Sequence, residues 1–191
     1  MQGVQEKRDF MNLEYCERGD LYEFIKQYLE MQDQQGAAFK GLLLSDMSLL
    51  KHMFLQLIES ISALHNKAGY AHMDIKLDNI LISNQGNLKL CDFGLSTQAS
   101  SLISKKLGTE AYMAPEIHYA RSAPCVAKYT DIFSLGILFF IITFGAPPFH
   151  TAQPQDTYFK FLKMKPGSVD FFKFHPHTRT LFREGLIDEN L

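Results

Sequence analysis

Hydrophobic positions recur at two different periods along this chain, and the switches between them mark its elements. In "GDLYEFIKQYLE" the residues Leu21, Phe24, Ile25, Tyr28 and Leu29 fall on one helical face, and Asp20 with Glu23 has the pattern of a capping box. The polar, glycine-bearing stretch "MQDQQGAAFKG" that follows predicts a loop. The clearest helix is predicted in "SLLKHMFLQLIESISALHNK". There Leu50, Met53, Phe54, Leu57, Ile58, Ile61 and Leu64 recur at the helical spacing, while Lys51, Gln56, Glu59 and Ser60 face away. Near the start, "DFMNLEYCE" alternates loosely and predicts a strand leading into a connector. Two more strand-forming runs, "NILIS" and "LKLCDFG", flank Asn84, Gln85 and Gly86, a hairpin signal. Residues 96–110 are rich in serine, threonine and lysine and predict a mobile loop.

The most apolar stretch is "IFSLGILFFIITF", residues 132–144. A membrane span needs ~20 such residues, so this one predicts a fully buried helix. Thr130 or Asp131 is expected near its N-cap and Gly145 near its end, with "APPFH" breaking it. Together the pattern predicts an α+β unit, mainly α, carrying a small β element.

Composition narrows the function classes. The 191 residues are 46% hydrophobic, enough for one sizeable core, and the net charge of −2 argues against nucleic acid or an anionic membrane as the main partner. Cys16, Cys91 and Cys125 are odd in number and far apart, which implies no disulfide framework and fits a reducing, cytoplasmic compartment. The opening "MQGVQEKRDF" has no apolar core of the signal-peptide kind. Among the histidines only His175 and His177, in "FHPHT", approach metal-ligand spacing, and they are read as a turn around Pro176.

The candidate chemistry begins in "AHMDIKLDN", residues 71–79, between the long helix and the first hairpin strand. Asp74 and Asp78 could be turn carboxylates, the commoner fate of aspartate. The series is longer than one loop, however. His72, Asp74, Lys76 and Asn79 are followed by Asp92 in "DFG", directly after a strand, and by Glu116 in "APE" after the serine-rich segment. In this order the sequence resembles the eukaryotic protein kinases of the serine/threonine type. "HMDIKLDN" resembles their catalytic loop, "DFG" their magnesium motif and "GTEAYMAPE" the end of their activation segment. "DIFSLG" resembles the buried helix that supports the loop, and "LEYCERGDL" the hinge that holds adenine.

The resemblance implies the large lobe of a kinase, mostly helical, with a short β-hairpin carrying the catalytic and magnesium motifs. Residues 1–15 would be a remnant of the small lobe with the start of the hinge, and residues 16–191 an incomplete large lobe. It also implies ATP and Mg2+ as cofactors and a protein serine or threonine as acceptor. Asp74 would orient that hydroxyl and take its proton; Lys76 would neutralise charge on the moving phosphate; Thr109 would bridge both. Asn79 and Asp92 would supply hard oxygens to magnesium. Glu14 and Cys16 would bind adenine through backbone groups, Leu13 would shape the pocket behind them and Leu81 would pack under the base. Asp20 would cap its helix or reach the ribose. His72 would pack beneath Phe93, Cys91 would be a small buried filler, and Asp131, if not a simple N-cap, would hold backbone amides of the catalytic loop.

The sequence also departs from the family. Met73 stands where many members carry an arginine that pairs with a phosphorylated residue, so phosphorylation of Ser100, Ser101 or Ser104 is not expected to be the main on-switch. No G-x-G-x-x-G loop and no V-A-x-K strand occurs, and Lys7 and Arg8 are too near the hinge to stand in. Glu116 would lack its usual arginine, a loss of about 3–5 kcal/mol for a buried carboxylate, and Arg179 and Arg183 do not match that position. These 191 residues alone are therefore expected to be inactive or nearly so. A non-catalytic, pseudokinase-like docking module is the alternative.

Overall fold

A computed structural model describes residues 11–34, 47–164 and 170–185. Among these, six α-helices carry most of the structure: α1 (Leu21–Gln34), α2 (Met47–Ala63), α3 (Ala127–Phe144), α4 (Thr157–Met164), α5 (Asp170–Phe174) and α6 (Arg179–Arg183). Six short strands form three separate antiparallel pairs. β2 (Ile80–Ile82) pairs with β3 (Leu88–Leu90), β1 (Tyr70–Ala71) with β4 (Thr97–Gln98), and β5 (Leu102–Ile103) with β6 (Cys125–Val126). The mainly helical α+β composition expected from the periodicity is what forms.

The core is built where α1, α2 and α3 turn their apolar stripes toward the β2–β3 hairpin. Leu21 and Ile25 of α1, Leu50, Met53, Leu57 and Ile61 of α2, and Leu135, Leu138 and Ile142 of α3 are buried together with Ile80, Ile82 and Leu88. Phe54 stacks on Phe139 at 3.9 Å, locking α2 against α3. The hairpin register is Ile80↔Leu90, Leu81↔Lys89 and Ile82↔Leu88, and Gly86 takes the positive φ of 81° that the turn demands.

Several expectations are corrected. Phe24 and Ile58 are exposed rather than inward, because α1 and α2 bury narrower stripes than the helical pattern suggested. Gln56, placed on the outer face by periodicity, turns inward, and its Oε1 accepts the Leu88 amide at 2.9 Å. The Asp20 carboxylate accepts the Glu23 amide at 2.9 Å, but the Glu23 carboxylate pairs with Lys26 instead of closing a reciprocal box. Residues 11–16 form no strand; this segment runs past the hairpin, and Gly19 O accepts the Ile82 amide at 2.9 Å. α1 continues to Gln34, into the stretch expected to be loop, while residues 35–41 of that stretch and residues 1–10, with Lys7 and Arg8, lie outside the described residues.

α3 starts at Ala127, a turn earlier than either proposed cap, so Thr130 and Asp131 lie inside the helix. It is also only partly buried: Tyr129 and Ile132 are exposed, whereas Gly145 ends the helix as expected in a left-handed conformation. The serine-rich segment is not a free loop, because β4 and β5 tie it to β1 and β6. Beyond α3, the Asp156 carboxylate caps α4 through the amides of Tyr158 and Phe159 at 2.9 and 3.0 Å, and reaches back to the His150 amide. Glu116 is half-buried rather than fully buried, and among the described residues it forms no ion pair; Arg179 and Arg183 are exposed.

Candidate active site

The turn between β1 and β2 is short and bent, and the bend is what aims its side chains. Met73 has φ +70°, a left-handed conformation that a side-chain-bearing residue adopts at a cost. The carboxylate of Asp131, almost fully buried in α3, holds that bend: Oδ2 accepts the His72 amide at 2.7 Å and Oδ1 the Met73 amide at 2.8 Å. His72 is buried beside it. Its Nε2 lies 2.9 Å from the Cys91 carbonyl, which can only accept, so Nε2 carries the proton and Nδ1 accepts from the Asp74 amide at 3.3 Å. Its ring lies 5.0 Å from that of Phe93.

Asp74 follows the bend and meets four donors. Oδ1 accepts the Thr109 hydroxyl at 2.7 Å and the Thr109 amide at 3.0 Å; Oδ2 accepts Lys76 Nζ at 3.0 Å and Asn79 Nδ2 at 3.2 Å. Lys76 Nζ also donates to Thr109 Oγ1 at 3.2 Å. Burial alone would raise the Asp74 pKa, but the bonds from Thr109 and Lys76 outweigh it and hold the carboxyl below its ordinary range. The same hydrogen bond, donated to Asp74, raises the Lys76 pKa against the effect of burial, with Asp78 and Asp92 adding to it. Both charges are therefore retained at neutral pH.

Thr109 can come this close because of the glycine before it. Gly108 has φ +94°, and a Cβ there would lie 2.7 Å from the Met73 carbonyl oxygen. Backbone meets backbone at this point, which fixes the end of the serine-rich segment against the bend. From the other side, Ser134 of α3 donates to the Tyr112 carbonyl at 2.8 Å.

The hairpin brings the remaining polar groups to one edge. Asn79 is buried just before β2 and Asp92 follows β3; the Cys91 amide donates to the Asn79 carbonyl at 3.0 Å, so the two ends lie side by side. Asn79 Nδ2 is spent on the Asp74 carbonyl at 2.8 Å and on its carboxylate, which leaves Oδ1 as the remaining acceptor. Asp92 is exposed, with φ +57°, and Oδ1 takes the Gly94 amide at 3.2 Å. An amide oxygen beside an exposed carboxylate is a donor set that suits a hard cation such as Mg2+. Cys91, half-buried between them, is held as a neutral thiol by burial and by the Asp92 charge.

On the nucleotide side the expected residues divide. Cys16 is buried, and Asp20 pairs with Leu81 across an isolated bridge, which sets Asp20 against the hairpin. Leu13 is 77% exposed, and its neighbours Met11 and Tyr15 are exposed to a similar degree. The Glu14 carboxylate forms an exposed ion pair with Lys89 of β3. His175 and His177 form no metal cluster among the described residues: His175 is buried in an aromatic nest, stacked 5.2 Å from Phe171.

Periodicity overlooked His65. It lies four residues after the buried Ile61, in the π-helical turn Leu64–Ala68 that ends α2, and its Nε2 is 2.8 Å from Asp131 Oδ2. The spacing from Ile61 was the available signal, since it continues the buried stripe.

Comparison with known proteins agrees with this geometry. The protein kinase domain model matches residues 3–181. The serine/threonine-protein kinase CHK1 of Saccharomyces cerevisiae is 32% identical over 83% of this chain and 28% of its own length. The maternal embryonic leucine zipper kinase of Xenopus laevis is 30% identical over 85% of this chain and 24% of its own. NUAK family SNF1-like kinase 2 of Rattus norvegicus is 32% identical over 72% and 19%. The chain thus spans roughly a quarter of the length of such relatives, and it belongs to the protein kinase family.

Proposed function

We propose that this chain is the large-lobe portion of a serine/threonine protein kinase, transferring the γ-phosphate of ATP to protein hydroxyls with magnesium. The observation that carries the reading is the Asp74 carboxylate, kept ionised by Thr109 and Lys76 and adjoining the Asn79–Asp92 edge. The incoming serine or threonine hydroxyl donates its hydrogen bond to Asp74 Oδ2. It displaces the 3.2 Å bond from Asn79 Nδ2, the longest to that carboxylate, while Asn79 keeps its 2.8 Å anchor on the Asp74 carbonyl. As the hydroxyl oxygen bonds to the γ-phosphorus and the bond to the β-bridging oxygen breaks, the proton passes to Asp74. The Lys76 ammonium meets the charge on the moving phosphoryl oxygens. Asn79 Oδ1 and the Asp92 carboxylate would hold magnesium, which neutralises phosphate charge when bound. Cys16, Leu81 and Asp20 border the adenine and ribose position. A cytoplasmic setting is consistent with three unpaired thiols.

The test is phosphate transfer from labelled ATP to serine, threonine and tyrosine peptides by the full-length gene product. Serine or threonine labelling that falls at least ~10²-fold in Asp74→Asn supports the reading. Absence of transfer from a folded, full-length protein would favour the docking module, and tyrosine labelling would refute the acceptor class.

A further inference from the structure

We propose that Glu110 selects a basic residue beside the acceptor hydroxyl of the protein substrate, with Lys106 occupying its carboxylate until that residue displaces it; this rests on Asp74 being the base. Thr109 ties the end of the serine-rich segment to Asp74, through its amide at 3.0 Å and its hydroxyl at 2.7 Å. Glu110 is the next residue. One step along the enzyme, from Thr109 to Glu110, covers the same ~3.8 Å between Cα atoms as one step along a substrate. A substrate hydroxyl at Asp74 Oδ2 therefore brings its neighbouring residue within side-chain reach of the Glu110 carboxylate.

The backbone that carries this carboxylate is fixed. Gly108 abuts the Met73 carbonyl on one side; on the other, the Tyr112 amide donates to the Thr109 carbonyl at 3.0 Å and the Met113 amide to the Glu110 carbonyl at 3.2 Å. The carboxylate itself is open to solvent, its side chain 51% exposed. Lys106 Nζ meets Oε1 at 3.0 Å and Gln153 Nε2 lies 3.5 Å from the same oxygen, while no bond among the described residues reaches Oε2. The bond from Lys106 lowers the Glu110 pKa, so the group is charged at neutral pH. Lys106 is the partner that can leave. It lies before Gly108, is 49% exposed, and among the described residues its ammonium bonds Glu110 alone; exposed pairs of this kind hold weakly. His118, near both, has its pKa lowered by burial and by Lys106 and adds no charge at neutral pH. An arriving lysine or arginine exchanges one cation for another. An acidic residue would meet a like charge fixed in place, and an apolar one would desolvate the ion pair without replacing its bonds.

The test measures kcat/KM of the full-length protein on serine peptides carrying arginine, alanine or glutamate directly before or directly after the acceptor, and the Kd of the same peptides by fluorescence anisotropy. At one of these two flanking positions arginine is expected to exceed alanine about fivefold, with glutamate below alanine. Glu110→Gln is expected to bring the arginine-to-alanine ratio to about one, Glu110→Lys to invert it in favour of glutamate, and Lys106→Met to widen it about twofold by removing the competing cation. Arginine placed well away from the acceptor reports the general field of the site, and its ratio is expected to be the same in wild type and Glu110→Gln. A flanking ratio near one in wild type, or an equal loss at the distant position in Glu110→Gln, would overturn the proposal. So would a preference for glutamate, which would assign the selection to Lys106. Should wild type transfer no phosphate, the anisotropy ratios still decide the recognition, and only the catalytic reading fails.

Discussion

Asp74 keeps its charge through hydrogen bonding rather than through exposure, which makes its titration a test of its neighbours. A base must be ionised to accept a proton, and the donors on Asp74 lower its pKa despite burial, so activity is expected to persist below the ordinary carboxylate range. In Thr109→Val the hydroxyl donor is lost while the amide donor stays, so the acid limb of the kcat profile is expected to move to higher pH. An unmoved limb would mean that Asp74 is not the titrating group. At His175 the pKa is lowered as well, but there the fold disfavours the charged form. Burial, with the charge of His177, lowers its pKa to about 4, a bond to the Pro147 carbonyl offsetting this only in part, and its Nδ1 is buried without a partner. Because the unfolded chain takes up the proton near the ordinary histidine pKa of about 6.5, His175 leaves stability intact above that pH. Stability is then lost as pH falls from about 6.5 to about 4, by no more than about 3 kcal/mol. His175→Phe, in the same nest of Phe140, Tyr158 and Phe171, is expected to flatten the pH dependence of urea unfolding over this window. A slope equal to wild type would contradict it.

At the scale of elements, the segment between Asp92 and Glu116 is held by packing as well as by polar bonds. Met73, Ile103, Met113, Ala114, Ile117 and Ala127 are buried together, and the Thr130 hydroxyl lies 3.5 Å from the Met73 sulfur. With β5 paired to β6, this cluster fixes the segment without any added charge. The triple variant Ser100→Ala, Ser101→Ala, Ser104→Ala is therefore expected to retain transfer within about twofold of wild type in the full-length protein. Loss of activity that glutamate substitutions restore would show that a phosphate does the ordering. This segment also shows why sequence reading reached only part of the fold. Strongly periodic α2 was visible because one stripe of it meets the core, whereas β4, β5 and β6 are two-residue strands whose pairing depends on distant partners and leaves no period. The start of α3 was misplaced because Asp131 carries a cap-forming side chain but spends it on the amides of another element. In the site, the resemblance to the kinase motifs singled out Asp74, Lys76, Asn79, Asp92 and Thr109, and the structure brings them together. It could not show His65 or Gln56, whose partners lie far off in sequence at Asp131 and Leu88.

For the molecule as a whole, the proposed reading gives a polar floor without the motifs that would grip a triphosphate in these residues. In the proposed reading Asp74, Lys76, Asn79 and Asp92 would supply base, charge and cation ligands, yet the 191 residues contain no glycine-rich loop and no V-A-x-K lysine. Holding reactants in line is a major source of acceleration in phosphoryl transfer, and losing it removes several kcal/mol of barrier reduction even when every charged group of the floor is in place. Met11, Leu13 and Tyr15, in the segment proposed to border adenine, are each more than three-quarters exposed. The 191-residue chain alone is accordingly expected to bind ATP–magnesium weakly. In single-turnover transfer to a serine peptide it should run at least ~10²-fold slower than a polypeptide in which this sequence is preceded by a glycine-rich loop and a lysine-bearing strand. Two rates of the same size would show that the floor suffices for catalysis, and that the phosphate is positioned by groups other than the clamp.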